Sequence, residues 1–303
     1  MFLKAAFKNA SVYVQLLMLL AIVACCMIGA VFFSSLLIIS KVGMSPEAIL
    51  EIQKNLFDYP EIIRGSLLLE TLGIFLFPSI ICAWLFSDNY KEYLGVDQPI
   101  YKPVAIWAIL SIIVAVPFIN LSYHFNQQMT FPESFSWLEK WMKEMEDANS
   151  QTFEAILNTK NISTIIFNIL ISCVIVAISE EFMFRGLLQK FFSRLIPNPH
   201  ILIWIIAILF SAMHLQFYGF IPRLILGGCL GYLMYYTKTI WIPILAHFTN
   251  NFLSLATYYL FRNKPDEMQS IDTIGSGTTW WLSVASLALL FFCFSQIKKA
   301  GNQ

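Results

Sequence analysis

Charge is scarce in this 303-residue chain: 19 Lys and Arg balance 19 Asp and Glu, together 13% of the residues, for a formal net charge of zero. Soluble domains run nearer about 25% charged, so an ordinary soluble globule is excluded. With no basic excess to neutralise phosphates, nucleic acid is not expected as a partner. The cysteines, Cys25, Cys26, Cys82, Cys173, Cys229 and Cys293, all lie in apolar runs. Their spacing fits neither a disulfide framework nor a zinc knuckle and reads as packing. Internal repeats, low-complexity segments and domain linkers are also lacking, so a single membrane domain over residues 1–303 is expected. Absent too are a His-Glu-x-x-His zinc motif, a Gly-x-Ser-x-Gly nucleophile elbow and a Gly-x-Gly-Asp aspartyl motif.

What is present is apolar: 58% of the residues are hydrophobic, and the mean hydropathy is +0.68. A spanning helix needs about 20 mostly apolar residues. Eight segments qualify, near 12–40, 66–87, 103–122, 163–190, 200–217, 222–237, 240–261 and 279–297. The expected fold is therefore all-α, a polytopic bundle of about eight transmembrane helices. The first run is too long for the apolar core of a signal peptide and reads as a retained helix. If the N-terminus is cytoplasmic, one side collects Lys4, Lys8, Lys91, Lys102, Arg185, Lys190, Arg194, Lys238, Lys298 and Lys299 on short loops. The other side dilutes its cations with acids over long loops, so both termini are expected to be cytoplasmic, in a plasma or inner membrane if the host is bacterial.

Two extramembrane stretches look ordered. Ser45-Pro46 suits a cap followed by a first helical residue. Between Phe131 and Leu157, the residues Trp137, Leu138, Trp141, Met142 and Met145 form an apolar stripe against Glu139, Lys143, Glu144 and Glu146. That helix either lies in the membrane interface or packs on the bundle, and gating of substrate is a further use.

The conspicuous charges are internal. Glu180, Glu181 and Arg185 lie within an apolar stretch from Ile162 to Phe192. Each such charge costs roughly 2.5 to 3.5 kcal/mol at a bilayer centre, which marks the segment as functional. Glu181 and Arg185 are four apart, on one helical face, and can neutralise each other. Glu180 sits about 100° around the helix, outside that pair. Desolvation raises a carboxyl pKa, so Glu180 is the candidate base. Phe210 and His214 are four apart on the fifth segment, and His247 and Asn251 four apart on the seventh. Polar groups on three helices cost least when they meet, around a cavity inside the membrane. His214 lies about 20 Å along a helix entering from the cytoplasmic face, so Glu180 meets it only if the fourth helix is long or tilted.

Glu180-Glu181-x-x-x-Arg185, Phe210-x-x-x-His214 and His247-x-x-x-Asn251, with Gly227-Gly228-Cys229-Leu230-Gly231 leading to the last, resemble the motifs of the CPBP family. This family comprises the CAAX proteases and the bacteriocin-processing, or Abi, enzymes, and the core carrying the resemblance is 162–262. Lys238-Thr239 departs slightly from the family's small or polar turn. The resemblance implies an eight-helix bundle with an intramembrane cavity and an endopeptidase acting on a peptide or protein substrate, with or without a lipid anchor. It assigns Glu180 to activating water, His214 to holding that water, and His247 with Asn251 to the oxyanion. Glu181 and Arg185 support the helix, and Phe210 lies beside the histidine. No cofactor is needed on this reading; the alternative is zinc held by Glu180, His214 and His247. The competing functions are an ion-coupled transporter using the charges as a relay and a non-catalytic scaffold or immunity protein on the same frame.

Overall fold

The computed structural model describes residues 3–301. Its regular structure among the described residues is helical, without strands. The principal helices are α1 (Val12–Val42), α2 (Pro46–Lys54), α3 (Pro60–Phe86), α4 (Lys102–Gln127), α5 (Ser136–Leu157), α6 (Ile162–Phe192), α7 (Pro199–Ala212), α8 (Phe220–Thr237), α9 (Trp241–Phe261), α10 (Pro265–Asp272) and α11 (Trp280–Gly301). Local sequence starts several of them. The side chains of Ser11, Ser45, Asn161 and Asn198 accept backbone N–H bonds at the starts of α1, α2, α6 and α7, and proline follows the cap in α2 and α7.

Among the described residues, six helical spans are long and apolar enough to cross a membrane: Val12–Val42, Pro60–Phe86, Lys102–Gln127, Ile162–Phe192, Phe217–Thr237 and Gly277–Gly301. The all-α polytopic expectation agrees with this. Two of the eight expected spans do not meet both criteria. α7 has 14 residues, about 21 Å at 1.5 Å per residue, against a hydrocarbon core of about 30 Å. α9 has 21 residues but carries His247, Thr249, Asn250 and Asn251 in its middle. On α1 the exposed side chains include Leu17, Leu20, Ile28, Val31, Phe32 and Phe33, a face suited to lipid.

The chain forms two compact units. The first comprises Met1–Leu94 and Asn149–Leu187. In it α1 lies close on α3: a Cβ at Gly73 would stand 2.7 Å from the Ala30 Cβ and 2.9 Å from the Cys26 carbonyl oxygen, the close approach that small residues permit between membrane helices. A buried polar node ties α3, α5 and α6 together. Arg64 donates from Nε to Asn168 Oδ1 at 2.9 Å and from Nη2 to the Ile156 carbonyl at 2.6 Å, while Asn168 Nδ2 reaches the same carbonyl at 3.0 Å. A cation at the last turn of α5 also meets the negative end of that helix. The node was not expected from the sequence, where the second span starts at 66; α3 begins at Pro60 and takes Arg64 inside.

The second unit comprises Gly95–Ala148 and Leu188–Gln303. Its core joins Val104, Ala108 and Ile112 of α4 with Leu230 and Leu233 of α8, Ile242 and Ala246 of α9 and Ile297 of α11. Pro117 interrupts the hydrogen-bond ladder of α4. Beside it Ser283 Oγ of α11 donates to the Pro117 carbonyl at 2.7 Å, and Ser286 Oγ donates to the Val114 carbonyl. α7 and α8 meet through glycines: a Cβ at Gly231 would lie 2.8 Å from Ile203 Cγ2, and one at Gly227 would lie 3.1 Å from Phe210 Cδ1. Gly231→Ala is therefore expected to cost about 1–3 kcal/mol by overpacking, read as a lower unfolding midpoint in detergent. An unchanged midpoint would show that Ile203 gives way freely.

Candidate active site

In the first unit, α6 carries the charged motif. The helix has 31 residues, about 46 Å long, which meets the length that the depth argument required. It contains π turns at Leu170–Ile175 and Phe182–Gln189, and such turns occur frequently at functional sites. The wider backbone of the second begins directly after Glu181. Glu180, Glu181 and Arg185 are 7%, 0% and 1% exposed, so all three belong to the protein interior and not to lipid. Arg185 Nη1 donates to Glu181 Oε1 at 2.7 Å with both side chains fully enclosed, the pairing that the four-residue spacing predicts. The guanidinium also stands 5.8 Å from the Phe184 ring centre, and Phe184 packs on Phe75. Gly186, one residue on, lies against Leu94: a Cβ there would come within 3.0 Å of Leu94 Cδ2.

In the second unit, His214 and His247 come together around one aromatic ring. Phe210 lies edge-on to both imidazoles, with centroids at 5.2 Å from His214 and 5.8 Å from His247. His247 is 3% exposed, inside α9, and Asn251 follows one turn along the same helix, its Oδ1 accepting from Asn250 Nδ2 at 3.2 Å. His214 is not within a helix, contrary to the fifth span drawn to 217. α7 stops at Ala212 because the chain tightens there: His214 N bonds to the Ser211 carbonyl, Leu215 N to the Ala212 carbonyl, and Leu215 takes a φ of 53°. The last carbonyls of a helix need other donors, and the His214 ring supplies one, its Nδ1 lying 2.9 Å from the Phe210 carbonyl. A carbonyl only accepts, so Nδ1 carries the proton, and of the two neutral tautomers this bond selects the one whose lone pair is on Nε2.

The segment after His214 is held by residues that the motifs do not contain. Asn126 of α4 donates from Nδ2 to the Phe217 carbonyl at 2.7 Å and accepts at Oδ1 from Ile221 N at 2.7 Å. Ser211 Oγ donates to the Phe220 carbonyl at 2.7 Å, and Arg223 binds the Gln216 carbonyl and side chain. The apolar stripe expected between 131 and 157 lies on α5, where Met142 is buried and the Trp141 ring stands 5.5 Å from Phe217. Glu146 on the same helix accepts from the Tyr218 backbone N–H; burial pushes its carboxyl above the usual range, against the pull of Arg223. Nothing in the local sequence points to Asn126, since its partners are 91 and 95 residues away. His124 bonds to Gln128 four residues on, and His200 to the Tyr232 hydroxyl of α8.

Within either unit taken by itself, no three of the described His, Cys, Asp and Glu residues are grouped to hold a metal ion. Chemically, a tautomerically fixed imidazole, a second buried imidazole and an amide on the next turn can polarise water and donate to an oxyanion.

Residues 162–253, under a third of the chain, match the family described as type II CAAX prenyl endopeptidase Rce1-like. No curated protein and no solved structure gives a significant match. The matched segment contains Glu180, Glu181, Arg185, Phe210, His214, His247 and Asn251, and it supports placing the chain in the CPBP/CAAX intramembrane protease family.

Proposed function

We propose that this integral, multi-pass membrane protein is a CAAX-type endopeptidase that hydrolyses a peptide bond of a protein substrate inside the membrane, using water activated by Glu180. The observation that carries this reading is the T-shaped contact of both His214 and His247 with Phe210, within a segment that matches a protease family. In the proposed reaction Glu180 takes a proton from water, and the resulting hydroxide attacks the scissile carbonyl carbon. His214 orients that water through Nε2, because Nδ1 is committed to the Phe210 carbonyl. His247 and Asn251 donate to the tetrahedral oxyanion as it forms. Collapse breaks the C–N bond, and the proton on Glu180 passes to the leaving amine, so the carboxylate is regenerated. Glu181 and Arg185 serve as a neutral brace. The substrate class is a protein tail, prenylated or not, entering from the membrane. Both termini face the cytoplasm on this reading, consistent with Lys238 over the Tyr235 ring at 4.4 Å and Lys298 over the adjacent Tyr236 ring at 5.9 Å, two basic groups at one end of the second unit.

The test uses the purified full chain in detergent and an internally quenched peptide ending in a CAAX box, in prenylated and unprenylated forms. Cleavage by the native protein and loss of at least about a hundredfold in kcat for His214→Ala and His247→Ala is the expected result. Failure to cleave either form, or full activity in both variants, would overturn the proposal. Dependence on the prenyl group assigns the substrate class. If Glu180, His214 and His247 instead form a two-histidine, one-carboxylate zinc set, a chelator abolishes cleavage and Zn2+ restores it. The proposed chemistry predicts insensitivity to both.

A further inference from the structure

His214 lies beyond the end of α7, so its backbone is placed by the segment from Met213 to Gly219, while its ring is tied back to the Phe210 carbonyl. Irregular segments move unless their backbone groups are held. One hold comes from outside the segment's own helices: Asn126, 4% exposed near the end of α4. Both halves of its amide bind backbone flanking the start of α8: Nδ2 the Phe217 carbonyl, Oδ1 the Ile221 N–H, each at 2.7 Å. α8 has no cap of its own, because Gly219 at its N-cap position has no side chain to offer. Asn126 supplies that cap from another helix, at Ile221, and holds the Phe217 carbonyl three residues beyond His214. Its remaining contact, Met129 Sδ at 3.9 Å, is weak. A buried amide in an apolar span is costly unless bonded, and this one spends its bonds on the His214 segment, not on its own helix.

We infer that Asn126 is a positioning residue for hydrolysis: it fixes the Phe217–Ile221 backbone, and through it the place of His214 Nε2. The inference rests on the proposed role of His214. Misplacing a reacting group by about 1 Å can cost around a hundredfold in rate, so Asn126→Ala is expected to lower kcat by about that factor and leave KM near the native value.

Asn126→Asp provides the rescue. A protonated carboxyl has the shape of the amide, donating O–H to the Phe217 carbonyl and accepting from Ile221 N–H. The carboxylate repels that carbonyl and is poorly solvated, so burial raises its pKa. The variant is therefore expected to turn over near the native rate below that pKa and to lose activity as pH rises through it, a limb that the native enzyme lacks at that pH. The experiment measures kcat, KM, pH profile and folded fraction for the native chain, Asn126→Ala, Asn126→Asp and His214→Ala on the quenched prenylated peptide. An inert His214→Ala beside an Asn126→Ala that keeps native kcat overturns this inference alone. So does a rate loss that only tracks the folded fraction, with no added pH limb in Asn126→Asp. A fully active His214→Ala, or an inert native chain, removes the premise and with it the inference.

Discussion

Glu180→Gln is expected to lower kcat on the quenched CAAX peptide by about a thousandfold, within the range of about 10² to 10⁴ for a positioned general base, or roughly 4 kcal/mol of barrier. Glutamine keeps the shape and the hydrogen-bonding reach but cannot take a proton from water. The fold should not suffer. Glu180 is 7% exposed in α6, and enclosing a carboxylate opposes folding, so a neutral isostere should leave the unfolding midpoint equal to or above the native one. The contrast carries the test: a buried group whose neutralisation abolishes turnover while preserving stability is kept for chemistry. A rate within tenfold of native would remove Glu180 from the mechanism, and a midpoint falling with the rate would make it structural. Glu180→Asp retracts the carboxyl by about 1.5 Å and should recover only a part of the activity, because proximity dominates such steps.

The second large effect belongs to Glu181 and Arg185. Their side chains are wholly enclosed and joined at 2.7 Å. Arg185→Leu leaves the Glu181 carboxylate in the interior without its guanidinium, and breaking a buried pair in this way costs about 3–5 kcal/mol. Leucine at both positions removes both desolvation penalties together, so the double variant should regain most of that loss and can equal the native protein. Unfolding midpoints of the two single variants and the double variant close the cycle. A loss in the double variant equal to the sum of the two single losses would show that the two side chains act independently. Activity separates the brace from the base: the double variant, once folded, should retain cleavage that Glu180→Gln does not.

Several of these features are legible one residue at a time. The Ser45-Pro46 start acts within a few residues, and α2 begins where it is placed. The Glu181–Arg185 pair follows from helical spacing and survives the π turn that starts at Phe182. Hydropathy identified the apolar spans but overran α7, because Met213 and Leu215 are as apolar as the helix before them. What ends α7 is the backbone turn at Leu215 and the His214 ring taking the Phe210 carbonyl. Arg64 was invisible for the opposite reason. A cation at the edge of an apolar run reads as a boundary until the Ile156 carbonyl and Asn168 are seen to receive it.

By itself the sequence determined that the chain is all-α and membrane-spanning, and that Glu181 and Arg185 pair. Helical periodicity and transfer cost are properties of neighbouring residues, and both are written locally. Only the tertiary structure decided that His214 stands outside its helix with Phe210 in contact with both it and His247, and that Asn126, 91 residues before Phe217, holds the backbone that follows His214. Those placements depend on which buried carbonyls and N–H groups lack a partner once the helices have packed. Every such group must be satisfied in a medium without water, and the residue that satisfies it is selected by distance in space, not along the chain.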